Sequence, residues 1–440
     1  MTPKLRIACG ATTPPHIGSA RLALAHYLFV RHHGGTLTLR LDDIDQQAGP
    51  RHLDTVAGDL EWLGIRWDES IRQSARLPLY EAAAERLKQA GRLYPCFESD
   101  DELRVKRERR LKRGLSAVYD RAMLKLTPAQ RAAAEAKRKR PHWRFLLSDD
   151  PINWRDLVLG TQQVDLATLS DPVLIRADGT PMRSFTSAVD DIEGAITHLI
   201  RTDDQCTSTA VQIDIRRALG AQTPEPVLCH LPVVKEAVDG RRHRGGIERT
   251  VRALRRDGIE PVALAACLAG SDIAAPATLD SLGPQFDLAG YANTSQHFSL
   301  TQLLSMNRHV QSTLPFAAVA DRLPSGATES FWHAVRGRLD LLSEARGWWD
   351  VVAGTIVPPV IDGEHELLRT ALDLLPAEPW HSRVWAEWTD ALHAVTGRSR
   401  PSLSLPLRLA LTGEESGPEL RDLLPLMGRT RAANRLQTAL

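Results

Sequence analysis

The N-terminal run of residues constrains the fold more than any other part of the chain. "KLRIAC" (4–9) reads as a short strand, "GATTPPHIGS" as a polar, Pro-rich turn, and "ARLALAHYLFVRHH" as a long helix with helical apolar spacing. "GGTLTLRLDDID" is a second strand, ending in carboxylates. Strand, turn, helix, strand opens a doubly wound parallel sheet, an α/β arrangement in which ligands settle at the carboxyl ends of the strands. His16 and Gly18 stand where the turn becomes the helix. A glycine there lets a nucleotide phosphate approach the backbone and the positive helix N-terminus.

Further along, "LPLYEAAAERLKQAGRLYPCF" is a helical segment that stops at Gly91. A Lys/Arg-rich block containing "RAAAEAKRKR" reads as an insertion. "WRDLVLGTQQVDLATLSDPVLIRADGTPM" returns to short strands with a turn at Asp178-Gly179, and "ITHLIRTDD" is another buried strand with a polar end. Beyond about Gly283 the pattern is helical, with loops at "LPSGA" and "TGRSRPS". A chain of 440 residues implies two or three domains, and 43% hydrophobic with 25% charged residues is soluble globular composition.

The opening "MTPKLRIACG" lacks the features of a secretory signal, and no apolar run approaches membrane-spanning length. Five scattered cysteines, an odd number, argue against a disulfide framework. A cytoplasmic protein that does not engage a membrane is the expectation. Nucleophile triads, paired glycosidase carboxylates and a P-loop are absent as recognisable patterns.

The net charge of +1 hides an uneven distribution: from Arg104 to Arg144 there are fifteen Lys or Arg against three acids, a local +12. Such a block suits a phosphate-rich partner, or alternatively forms a solvated helical face. A second cationic cluster lies in "VDGRRHRGGIERTV", where Arg241, Arg242, His243 and Arg244 sit among glycines on what reads as an exposed loop. Alone it is an ordinary surface turn; in its context it is a candidate phosphate contact.

These segments together resemble class I aminoacyl-tRNA synthetases, specifically bacterial-type glutamyl-tRNA synthetases. "HIGSAR" is similar to the His-Ile-Gly-His signature of that class, and "LRLDDID" to the family's Arg-Ile-Glu-Asp-Thr-Asp strand end. "LEWLGIRWDES", "QSARLPLYEAAAERL", "YPCF", "LSDPVLIRADGTP", "AVDDIEGAITHLIRTDD" and "PLRLALTGEESGPELRDLLPLMG" follow in family order. The resemblance implies a Rossmann-like doubly wound parallel sheet, an inserted acceptor-stem-type domain and an α-helical C-terminal domain. The corresponding segments are a nucleotide-binding first half (1–96), a basic insertion (97–185), a second catalytic half (186–285) and an anticodon-binding-like region (286–440).

The resemblance also implies roles. Thr12, His16, Gly18, Ser19, Asp203 and Arg244 would contact ATP. Arg242, His243 and Arg244 fall on the family's Lys-Met-Ser-Lys-Arg loop, counted back from "RDGIEP", so Arg244 stands where the activating lysine is usual. Arg6, Ala8, Gly10, Asp42, Arg183, Ser187 and Arg201 would line the amino-acid pocket. Arg6 and Arg201 suit a carboxylate, because a guanidinium is a bidentate receptor for one. Gly10, Asp42, Arg183 and Ser187 depart from the family's Ser, Glu, Tyr and Asn. A third pocket arginine adds charge and changes shape, leaving glutamate, a modified glutamate or a more anionic compound as substrates.

Many family members hold zinc in the insertion through a Cys-x-Cys pair. Here the pair reads Cys96 and Glu98, with Tyr119 later, so no zinc is expected and Cys96 reads as a buried thiol. The resemblance implies activation of glutamate or a close acidic analogue with ATP and Mg2+, and transfer to tRNA. The tRNA's acceptor end would meet residues 97–185 and its anticodon the helical C-terminal region. Two alternatives stay open: a specialised paralogue serving another acceptor in a biosynthetic pathway, and a non-catalytic protein that binds tRNA or nucleotide.

Overall fold

The computed structural model describes residues 2–10, 15–44, 50–136, 140–236, 250–270, 278–284, 286–294 and 297–440. Two compact units separate: residues 1–252 with 265–299, and residues 253–264 with 300–440. Each is taken by itself.

The first unit begins with β1 (Lys4–Gly10), α1 (Ile17–His33) and β2 (Thr36–Asp42), followed by α2 (Pro50–Trp62) and β3 (Glu69–Arg72). β1, β2 and β3 run parallel, and the register sets Ala8 beside Arg40 and Gly10 beside Asp42. α1 packs its apolar residues against this sheet, with Leu24 and Leu28 buried, and carries Arg31, His32 and His33 in its last turn, where cations complement the helix dipole. Gly34 closes it at φ 66°, its N–H on the Val30 carbonyl, a left-handed turn that glycine adopts without strain.

After α3 (Leu77–Gln89), which Gly91 terminates at φ 69°, the chain runs into the segment expected to hold the insertion. β4 (Leu93–Cys96), α4 (Asp100–Lys112), α5 (Pro128–Ala136), β5 (His142–Phe145), β6 (Ile152–Asp156), β7 (Gly160–Val164) and β8 (Val173–Ile175) follow. β4, β5 and β8 make a small antiparallel sheet. Ser99 and Glu102 form a reciprocal capping box at the start of α4, which buries none of its residues and keeps its cationic side chains at the surface.

The chain then returns through α6 (Arg183–Glu193), β9 (His198–Thr202), α7 (Cys206–Ala218) and β10 (Val227–Leu231). β10 lies parallel to both β9 and β6. Lys4 and Thr197 exchange backbone and hydroxyl hydrogen bonds of 2.7 and 2.9 Å, bringing the start of β9 alongside β1. The parallel strands expected in both halves are therefore present, and they converge around α1. Tyr80, Phe145, Leu174, Phe185, Val189 and Ile215 are in the core behind them. β11 (Lys235–Glu236), α10 (Leu288–Thr294) and β12 (His297–Phe298) complete this unit, while α8 (Val251–Asp257) and α9 (Pro261–Leu268) overlap the segment 253–264 that belongs to the second; β11 and β12 pair in parallel.

The second unit is helical: α11 (Leu300–Thr313), α12 (Glu329–Val335), α13 (Ala345–Ala353), α14 (His365–Asp373), α15 (Val384–Thr396), α16 (Arg400–Thr412), α17 (Leu420–Met427) and α18 (Arg429–Thr438). Trp388, Leu403, Leu407 and Leu424 are in one core and Phe331, Trp332 and Leu342 in another. Buried Asn307 of α11 ties the segment 253–264 to this unit: its Oδ1 accepts from Glu260 N at 2.7 Å, and its Nδ2 donates to the carbonyls of Gly258 and Asp340. Gly258 has φ 94°, and a Cβ there would lie 2.6 Å from the Leu342 nitrogen. No described helix is long and apolar enough to cross a membrane.

Candidate active site

The carboxyl ends of β1 and β9 and the N-terminal half of α1 frame two adjoining cavities. One, of about 590 Å3, is bordered by Arg6, Ala8, Gly10, Arg40, Arg183, Ser187 and Arg201. The other, of about 580 Å3, is bordered by His16, Gly18, Ser19, Asp204, Gln205 and Val233. Ser19, Leu22 and Gln205 line both.

The second cavity opens on the N-terminus of α1. His16 has an extended backbone (φ −95°, ψ 177°) and its carbonyl accepts from Ala20 N at 2.9 Å, but no side chain caps the helix. A helix start with that arrangement presents N–H groups and dipole to an anion. Gly18 lies close beside the His16 ring, where a Cβ would stand 3.5 Å from it. Thr250 forms an isolated antiparallel bridge with His16, and Val251 N donates to the Pro15 carbonyl at 2.9 Å. Asp203 accepts from Val233 N at 3.1 Å through Oδ1, and its neighbour Asp204 borders the cavity. Thr12, Arg242, His243 and Arg244 lie outside the described residues.

The first cavity has a floor of interlocked charges. Arg6 donates from Nε and Nη2 to both oxygens of Asp191, at 2.8 and 3.0 Å. Arg40 donates from Nε to Asp42 at 2.7 Å and from Nη2 to Ser187 Oγ at 2.7 Å, with Asp190 3.6 Å away. Asp190 also accepts from Gln73, Arg76 and Tyr80. Arg201 lies 3.7 Å from Asp191, and donates to Thr209 Oγ1 at 3.0 Å and to Gln212. At the rim, mostly exposed Arg183 places Nε 3.0 Å from Asp42.

Burial would raise Asp191, but Arg6, Arg40 and Arg201 outweigh it and hold its pKa below the ordinary carboxylate value. Burial lowers Arg201 to about 9, and its neighbours Arg6, Arg40 and Arg183 add to that effect more than Asp191 offsets it. Arg6, Arg40, Arg183 and Arg201, all bordering the cavity, stand against three carboxylates, Asp42, Asp190 and Asp191. A carboxylate arriving in this cavity supplies what is missing.

The sequence-derived pocket residues Arg6, Ala8, Gly10, Arg183, Ser187 and Arg201 all border one cavity, and Asp42 is bonded to two of its arginines. Sequence reasoning misses Arg40, Asp190 and Asp191. A lone arginine inside the apolar strand "LTLRL" and an acidic pair following "SAV" on a helix are the signals that could have found them. Asp43, one of the strand-end carboxylates, binds the backbone N–H and hydroxyl of Ser74 at 2.7 Å each.

In the insertion, the Cys96 thiol is buried, 3.5 Å from a Glu98 oxygen and 3.6 Å from the Tyr119 hydroxyl. Glu98 is ion-paired to Lys106 and accepts from Tyr119 at 2.6 Å. One thiol, one phenol and a carboxylate already neutralised by an ammonium are a poor donor set for zinc.

Fold and cavity define a class. The family described as tRNA synthetases class I (E and Q), catalytic domain, matches residues 4–271, and an anticodon binding domain matches residues 361–440. The chain belongs to the class I tRNA synthetases (E and Q). It is 53% identical to "Glutamate--tRNA ligase 2" of Granulibacter bethesdensis, over 98% of this chain and 97% of that one. The protein of the same name from Acidiphilium cryptum is also 53% identical, with 99% of each chain covered. Among solved structures, a glutamate tRNA ligase from Elizabethkingia meningosepticum has the same fold, with a TM-score of 0.81 at 23% identity, covering 100% of this chain and 99% of that one.

Proposed function

We propose that this protein activates glutamate with ATP as an enzyme-bound adenylate and transfers the glutamyl group to the 3′ end of tRNA. The observation that carries the reading is a cavity, adjoining the α1 N-terminus, in which four arginines, Arg6, Arg40, Arg183 and Arg201, stand against three carboxylates, Asp42, Asp190 and Asp191. The likeness to glutamate–tRNA ligases over nearly the whole chain supports it.

In the first step a glutamate carboxylate oxygen attacks the α-phosphorus of ATP and pyrophosphate leaves. In the second, a ribose hydroxyl at the tRNA 3′ end attacks the acyl carbon and AMP leaves. Neither step needs a protein nucleophile, so catalysis is positioning and charge stabilisation. Arg6 and Arg201 hold the carboxylates, with Ala8, Gly10, Asp42, Arg183 and Ser187 shaping the pocket. His16, Gly18, Ser19 and Thr12 receive the nucleotide, whose phosphates bring Mg2+ as part of the substrate. Arg244, flanked by Arg242 and His243, offsets charge on departing pyrophosphate, and Asp203 contacts the nucleotide. Residues 97–185 serve the acceptor end and residues 286–440 the anticodon.

The test is amino-acid-dependent pyrophosphate exchange over a panel of acidic amino acids, with and without tRNA. Exchange with glutamate is expected. Exchange with a different acidic amino acid alone would move the substrate assignment, and no exchange with any would overturn the reading.

A further inference from the structure

Arg201 is the cavity end of a chain of polar groups whose other members do not border the cavity. Arg201 Nη1 donates to Thr209 Oγ1 at 3.0 Å, Thr209 Oγ1 lies 2.9 Å from His230 Nε2, and His230 Nδ1 lies 2.5 Å from Asp156 Oδ2. All four side chains are buried, His230 completely. They come from β9, α7, β10 and β6, so the chain leads from the pocket deep into the unit's interior.

The hydrogen positions follow from chemistry. Arginine has no acceptor, so Thr209 accepts from it, and with a neutral imidazole at 230 the hydroxyl's one proton goes to His230 Nε2. That nitrogen is therefore the bare one, and Nδ1 carries the hydrogen donated to Asp156. Asp156 is itself fixed, its Oδ1 accepting the backbone N–H groups of Val158, Leu159 and His230 between 3.0 and 3.1 Å.

We propose that Asp156, His230 and Thr209 are positioning residues that set the orientation of Arg201 toward the substrate carboxylate. The inference rests on the functional reading above. None of the three lines the cavity, whereas Arg201 and its other partner Gln212 do. A guanidinium with one nitrogen anchored to Thr209 and another to Gln212 cannot rotate, and the rest of its donor fork stays aimed at the cavity it borders. A polar chain through a core is stabilising only when every member is satisfied, and this one is. A purely structural filler of the same volume would need no hydroxyl at 209.

The test is pyrophosphate exchange by the full-length protein, with tRNA present, at saturating ATP for the glutamate KM and saturating glutamate for the ATP KM. Thr209→Val keeps the shape and removes the hydroxyl. It is expected to raise the glutamate KM about tenfold, the scale of one lost buried hydrogen bond, with kcat and the ATP KM within about twofold. Thr209→Ser, which restores the hydroxyl, is expected to return the glutamate KM to within about twofold of the parent. If the valine variant does not fold, Thr209→Ala carries the same expectation. A glutamate KM unchanged by loss of the hydroxyl, or a serine variant no better than valine, would overturn the relay while leaving the function standing. No glutamate-dependent exchange by the unmodified protein would overturn the functional reading, and the relay with it.

Discussion

Arg6 on β1 grips Asp191 on α6 with two hydrogen bonds of 2.8 and 3.0 Å, across 185 residues of sequence and almost wholly out of water. Asp191 also stands 3.7 Å from Arg201 and 4.0 Å from Arg40. One carboxylate thus serves three guanidinium groups. Asp191→Asn is expected to lower stability by about 3 kcal/mol or more, because it leaves buried cations uncompensated. Urea unfolding checks it. A loss below about 1 kcal/mol would mean that the cations repartner with Asp42 and Asp190.

The Asp156–His230 pair gives the protein an acid limb. Burial raises Asp156, but the His230 hydrogen bond and three backbone N–H groups bring its pKa down to about 2, against an ordinary 3.8. A carboxylate depressed on folding stabilises above its unfolded pKa, and that contribution fades as pH falls toward the folded one. Stability of about 2 kcal/mol is expected to disappear between about pH 4 and pH 2. In Asp156→Asn the same stretch of a stability-against-pH curve should be flatter than in the parent.

Gly258 tests the helical unit separately from the chemistry. With φ 94° and Leu342 backbone in the space of a Cβ, Gly258→Ala is expected to cost about 2 kcal/mol. Thermal unfolding should register the loss, while the glutamate KM of the folded fraction stays where it was.

Arg244 is expected to act where negative charge accumulates on the leaving pyrophosphate. Arg244→Ala should slow adenylate formation on the order of 10²-fold, with ATP affinity little changed. Arg244→Lys should be tolerated or faster. Single-turnover measurements separate the two quantities, and an undiminished rate in the alanine variant would remove this loop from the reaction.

The basic insertion should meet phosphates. Replacing Lys137, Arg138, Lys139 and Arg140 together by Ala should weaken tRNA binding and reduce the slope of log affinity against log salt by about 0.7–0.9 for each phosphate that is no longer neutralised. Arg140 is exposed; the other three lie outside the described residues. An unaltered slope would return these residues to the role of a solvated face.

The strand–turn–helix–strand start is legible in the sequence because its signals are local: apolar runs of fixed period and a polar turn. The pocket arginines are legible through family resemblance. What joins them is not. Arg40 and Ser187 meet across 147 positions, Tyr80 and Asp190 across 110, and no periodicity encodes such pairings. Nothing in the sequence singles out His230 or Thr209; only the fold sets them 2.9 Å apart. The attachment of residues 253–264 to the helical unit is equally silent, since it turns on Asn307 reaching three backbone groups from another helix.

The interlocked floor restricts how this pocket can diverge. Asp190 and Asp191 each serve more than one base, so any single exchange of Arg6, Arg40, Asp190 or Asp191 strands a buried charge, and only paired replacements could pass unharmed. Arg183, at the solvent edge and ion-paired to Asp42, escapes that penalty, and a Cβ at Gly10 would come no closer to it than 3.9 Å. Mutational drift, and any natural retuning of which acidic compound fits, is channelled to that edge, while the interior stays frozen by the mutual dependence of its charges.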